Sequence, residues 1–197
     1  HFQGYPHLIS EMTDGRHPFL LLAAERLKVV NVTLHVSLRQ ALDMLTKPLI
    51  LECITALNEA LKTFDISEPK IAVAGLNPHA GEGRMFGDED EDVILPAVRE
   101  ARANGIDAWG PFPADSLFYN CLESDYDAYV GMYHDQAHMP VKILSFKKAA
   151  AVAINVPINW ATVDHGCALD IAWKGIADPG VMVEALRVVA TRAPKFA

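Results

Sequence analysis

Three histidines stand where chemistry could be done: His35, His79 and His134. Each follows a short apolar run rich in β-branched residues. Leu27 to Thr33 leads to His35. Lys70 to Leu76 leads into Asn77-Pro78-His79-Ala80-Gly81-Glu82-Gly83, and Tyr126 to Met132 leads into Tyr133-His134-Asp135-Gln136. Such runs read as buried strands, and ligands of open α/β sheets gather beyond the carboxyl ends of strands. Three neutral imidazoles suit zinc, nickel or cobalt and leave positions open for substrate oxygens. The long separations differ from a compact HExxH motif, so an ordinary surface turn remains the competing reading for each loop.

Two further segments carry polar groups. Asp135 and Lys142 lie in the dense run from Tyr133 to Lys142, where strand-end polar groups are costly unless partnered. Asp164-His165-Gly166-Cys167 precedes a stretch expected to be helical from Ala168 to Trp173. Amides at the start of such a helix could receive phosphate, and Asp170 could accept from a ribose diol. A plain capped helix is the alternative.

The elements that must hold these groups alternate. Ser37 to Phe64 has helical periodicity in two parts, with Pro48 suited to a first turn. Glu89 to Asn104 reads as a helix with an acidic start, closed by Gly105. Ala149 to Val156 reads as a strand, and Pro179 to Thr191 as a closing helix. Strands alternating with helices predict a layered α/β fold.

Composition fits a globular protein: 197 residues, 51% hydrophobic, 21% charged. A net charge of −8 argues against nucleic acid or an anionic membrane as partner. Cys53, Cys121 and Cys167 are sparse and unpaired in pattern, which fits a reducing, cytoplasmic compartment. No membrane span or secretory signal is visible. His1-Phe2-Gln3-Gly4 reads as mid-sequence, although a leftover tag would look similar.

Gly75-Leu76-Asn77-Pro78-His79-Ala80-Gly81-Glu82-Gly83, Gly110-Pro111-Phe112-Pro113-Ala114-Asp115, Met132-Tyr133-His134-Asp135-Gln136 and Val163-Asp164-His165-Gly166 together resemble the 4-hydroxythreonine-4-phosphate dehydrogenase family. The resemblance runs from about Gly4 to about Ala190. It implies a two-domain α/β fold similar to isopropylmalate dehydrogenase, of which residues 1–197 are the C-terminal part and an N-terminal portion is missing. It also implies a homodimer with a shared metal site, and maps the three metal ligands onto His35, His79 and His134. Which of them crosses between subunits stays open.

The same resemblance maps a substrate-contacting lysine onto Lys142 and an active-site aspartate onto Asp115, with Asp135 orienting a neighbouring lysine or histidine. His165, Gly166 and Asp170 resemble an adenosine-binding turn. The implied cofactors are NAD (or NADP) and a divalent metal (Zn, Mg, Co or Mn), and the implied substrate is a small anionic molecule. The implied reaction is oxidation of a secondary alcohol, with decarboxylation where a carboxylate lies β to the new carbonyl.

Tyr5, Pro6, Ala151 and Trp160 depart from the biosynthetic pattern for contacting phosphate. Gly4-Tyr5-Pro6 and Val32-Thr33-Leu34-His35 look instead like the terephthalate cis-dihydrodiol dehydrogenases. The substrate expected on this basis is a carboxylated diol, with 4-hydroxythreonine-4-phosphate as the alternative. A non-catalytic metal- or anion-binding fragment and a metal-dependent hydrolase are the rival classes.

Overall fold

The computed structural model describes residues 4–13, 15–24, 27–145 and 149–192. The strands are β1 (Phe19–Ala23), β2 (Lys28–Asn31), β3 (Lys70–Ala74), β4 (Asp107–Phe112), β5 (Ala128–Gly131), β6 (Ala150–Ile154) and β7 (Trp160–Val163). The helices are α1 (Tyr5–Met12), α2 (Leu38–Met44), α3 (Lys47–Lys62), α4 (Leu95–Ala103), α5 (Ala114–Tyr119), α6 (His134–Ser145) and α7 (Gly180–Arg192).

The fold is α/β, built on a mixed seven-stranded sheet in the order β4-β3-β5-β2-β1-β6-β7. The first four strands of that order are mutually parallel. β1 then reverses direction against β2, and the β1-β6-β7 side is antiparallel. Strands buried on both faces need no polar alternation, and β1, with the run Phe19-Leu20-Leu21-Leu22-Ala23, is buried throughout.

Two apolar layers flank the sheet. On one face Ile50, Ile54, Leu57 and Leu61 of α3, Val98 of α4 and Val188 of α7 pack over Leu21, Val30, Val73 and Val152. On the other, Ala137 and Val141 of α6 pack over Leu22, Val29, Ala72 and Tyr129. α2 begins at a capping box, in which Ser37 and Gln40 satisfy each other's backbone amides. Thr46 caps α3, and Pro48 lies in its first turn, as expected. Residues 90–94 form a π-turn leading into α4, and Gly105 closes that helix with a positive φ of 84°.

Two local readings are corrected. No helix runs from Ala168 to Trp173; a single 3-10 turn covers Leu169–Ile171 after Ala168 at φ 47°. The helix N-terminus expected to receive phosphate at His165-Gly166 is therefore not formed. The segment after His134 is not a surface turn but the start of α6, which continues through Pro140. Among the described residues no helix is long and apolar enough to cross a membrane. All three cysteines are free thiols, Cys53 and Cys121 buried and Cys167 exposed.

Candidate active site

β2, β5 and β3 are neighbouring parallel strands, so their carboxyl ends open onto one edge of the sheet. His35, His134 and His79 follow these three ends. The sheet does not bring all three into one space. His35 and His134 share a cavity of about 880 Å³, and their ring centroids are 5.7 Å apart. His79 faces a second cavity, together with Asp115, Asn77 and Tyr133. Helix α6 separates the two, and its Met139 and Ile143 line both. Among the described residues no group of three or more His, Cys, Asp or Glu is placed to hold a metal ion.

In the first cavity, His134 Nδ1 lies 2.7 Å from Asp135 Oδ1. An ionised carboxylate can only accept, so Nδ1 is the donor in this contact. His138 stacks on His134, with centroids 3.7 Å apart and planes 12° from parallel. Its Nδ1 lies 3.0 Å from the His134 carbonyl. Burial, and then the neighbouring His134, push the His138 pKa down to about 4, so His138 is a neutral wall. Gly4, at φ 99°, abuts His35: a Cβ there would come within 2.9 Å of its Nδ1. Any side chain at Gly4 would displace the ring.

Lys142, His165, Gly166, Tyr5, Pro6, Ala151 and Trp160 line the same cavity. The four positions that depart from the phosphate-contacting pattern thus meet beside His35 and His134. Tyr5 and Trp160 rings lie 6.2 Å apart there. Asp170 is exposed in its 3-10 turn and lies outside that lining. Asp115 sits in the first turn of α5, and its carboxylate accepts from Ser116 N and Oγ.

The His79 loop is fixed from below. His79 (φ 54°) and Ala80 (φ 52°) are left-handed without being glycine, a conformation that persists only where surroundings impose it. Asp90, 1% exposed, supplies much of that constraint. Its carboxylate accepts from Leu76 N at 2.8 Å, Asn77 N at 3.1 Å and Asn77 Nδ2 at 3.0 Å. Gln136, also buried, accepts from Met132 N at 2.6 Å and donates to the Gly75 carbonyl at 2.8 Å, tying the end of β5 to the end of β3. Sequence reading passed over Asp90 because it lies in an acidic run that resembles a solvated helix start. Asp90→Ala leaves two backbone amides without their acceptor. A loss of about 2–4 kcal/mol is expected, and with it a fall in Tm of roughly 5–15 °C. A melt within a degree or two of the unchanged chain would remove Asp90 from this role.

A histidine pair at the carboxyl ends of parallel strands, sharing a cavity with a lysine of α6 and with the glycine-bearing turn after β7, places the molecule among α/β proteins with a site that opens at the carboxyl edge of the sheet. The family model described as "Pyridoxal phosphate biosynthetic protein PdxA" matches residues 1–189, and the chain belongs to that family.

A 4-hydroxythreonine-4-phosphate dehydrogenase of Desulforapulum autotrophicum is 45% identical over 193 residues, covering 98% of this chain and 57% of the relative. A protein of Oceanobacillus iheyensis named "Putative D-threonate 4-phosphate dehydrogenase" is 41% identical over 194 residues, covering 98% and 58%. The crystal structure of 4-hydroxythreonine-4-phosphate dehydrogenase from Klebsiella pneumoniae superposes with a TM-score of 0.88 at 39% identity, over 98% of this chain and 59% of that one. A terephthalate 1,2-cis-dihydrodiol dehydrogenase from Burkholderia xenovorans superposes with a TM-score of 0.79 at 36% identity, over 95% and 60%. The chain thus spans less than two thirds of the length of these relatives.

Proposed function

We propose that the intact protein is an NAD-linked (or NADP-linked), divalent-metal-dependent dehydrogenase acting on the secondary alcohol of a small phosphorylated hydroxy acid, with 4-hydroxythreonine-4-phosphate as the reference substrate. The observation that carries this reading is the meeting of His35, His134, Lys142 and the His165-Gly166 turn in one cavity, which runs from the carboxyl ends of β2 and β5 along the antiparallel strands β1, β6 and β7. The two-domain arrangement similar to isopropylmalate dehydrogenase, with this chain as its C-terminal part, belongs to the same proposal. So does a cytoplasmic location.

His35 and His134 fit a metal as two nitrogen donors, and one chain alone does not complete the set. A homodimer resolves this. The third ligand is the partner's His79, brought in with the partner's Asp115, and a two-fold axis gives both sites the same composition. When bound, the metal (Zn, Mg, Co or Mn) supplies Lewis-acid polarisation and the nicotinamide accepts the hydride. The chain's own groups do the rest. Asp135 fixes the ring of His134 so that Nε2 faces outward as a donor. Lys142 meets an anionic group of the substrate as a cation. Tyr5 and Trp160 line the cavity beside His138, and their ring faces would shield one side of a bound substrate. His165 and Gly166 border the cavity where the nicotinamide cofactor would approach, and Asp170, outside it, is within the same turn region for the adenosine end.

A carboxylated diol is the second reading, favoured by the Tyr5–Trp160 wall, which offers flat apolar faces to a ring. The two part on kcat/KM of the intact protein with 4-hydroxythreonine-4-phosphate and with a terephthalate cis-dihydrodiol. The phosphorylated substrate is expected to lead by about tenfold or more, the worth of one charge-assisted contact. A tenfold lead for the diol would make the aromatic wall, and not Lys142, the determinant of substrate.

A further inference from the structure

The cation in the first cavity is held from an unexpected direction. Lys142 lies on α6, and Asp164 lies just beyond the end of β7, 22 residues later in the chain. Lys142 Nζ donates to Asp164 Oδ2 at 3.0 Å and also to the Asp164 backbone carbonyl. The Asp164 side chain is 1% exposed, against 29% for Lys142. Its other oxygen, Oδ1, is buried with no hydrogen-bond partner among the described residues. A carboxylate so deep is costly, and Lys142 is the charge that compensates it. Stability alone does not explain the pair, since buried ion pairs are often no better than apolar residues of the same volume.

Resting on the functional reading above, we propose that Asp164 is a positioning residue. It fixes the direction of the Lys142 ammonium group and ties α6 to the His165-Gly166 turn. The cation therefore stands at a set place relative to His134, where it meets an anionic group of the substrate. Lys142 acts as a fixed cation. Two of its donors engage one residue, which a freely rotating surface lysine would not maintain.

The test uses Asp164→Asn in the intact protein with 4-hydroxythreonine-4-phosphate. KM is expected to rise about tenfold while kcat changes less than about threefold, the pattern of lost ground-state binding. In a Lys142→Met background the same substitution is expected to change kcat/KM by less than about twofold, because a residue acting through another has no effect once that other is gone. An undiminished loss in that background would overturn the proposal.

A second measurement needs no turnover, so that failure of the functional reading is told apart from failure of this one. Modification of Lys142 by trinitrobenzenesulfonate, read by mass spectrometry against Lys62, is expected to run several-fold faster in Asp164→Asn. An unchanged rate would overturn the proposal even if the unaltered protein is an active dehydrogenase. Asp164→Ala serves both measurements should the amide variant fail to fold.

Discussion

Replacing His79 by alanine is expected to strip the intact protein of its divalent metal and to lower turnover by at least about 10³-fold, since a catalytic metal contributes several kcal/mol of charge stabilisation. The fold should survive. His79 is exposed at the tip of its loop, and the packing beneath it is supplied by Asp90 and Gln136. Metal content by mass spectrometry, together with reduction of NAD, measures the effect. A melting curve checks that the fold is retained. Unchanged metal content would remove His79 from the ligand set, and a loss of activity below about tenfold would count against it as well. The loss would arise in the partner's site, because His79 does not share a cavity with His35 and His134 in its own chain.

The elements that place these groups were legible to different degrees. The runs ending at His35, His79 and His134 have β-branched residues and clear punctuation, and all three became neighbouring parallel strands. The Ser37–Phe64 periodicity gave two helices with their caps in place. β1 was not assigned, because a five-residue apolar run has no period that tells a strand from a helix. β4 carries Gly110-Pro111, which argues against a strand unless it lies at an edge, and β4 is an edge strand. α6 was hidden by Pro140 and by the cluster of polar residues at its start. The 168–173 segment went the other way: its apolar spacing reads as helical, but Ala168 is left-handed and only one 3-10 turn follows.

The site was legible in its residue types and not in its pairings. His134 beside Asp135 is local and follows from adjacency. Lys142 with Asp164, and Asp90 with Leu76 and Asn77, join segments that only the folded sheet brings together. Nothing in the local pattern marks Asp164 as buried, since Val163-Asp164-His165 reads like any polar turn. The separation of His79 from the other two histidines is likewise a property of where α6 lies across the sheet edge.

Subunit mixing tests most directly the central claim, that each metal site takes His35 and His134 from one chain and His79 from another. In a dimer of a His79→Ala chain with a His35→Ala chain, one of the two sites receives all three histidines and the other loses two. Random mixing makes half of the dimers heterologous, so about a quarter of the original activity is expected to return from two inactive proteins. Mixing His35→Ala with His134→Ala should restore nothing, because each site then lacks one ligand from its own chain. Recovery in the first mixture and none in the second is the predicted result. Recovery in the second mixture, or none in either while the proteins still exchange subunits, would contradict it.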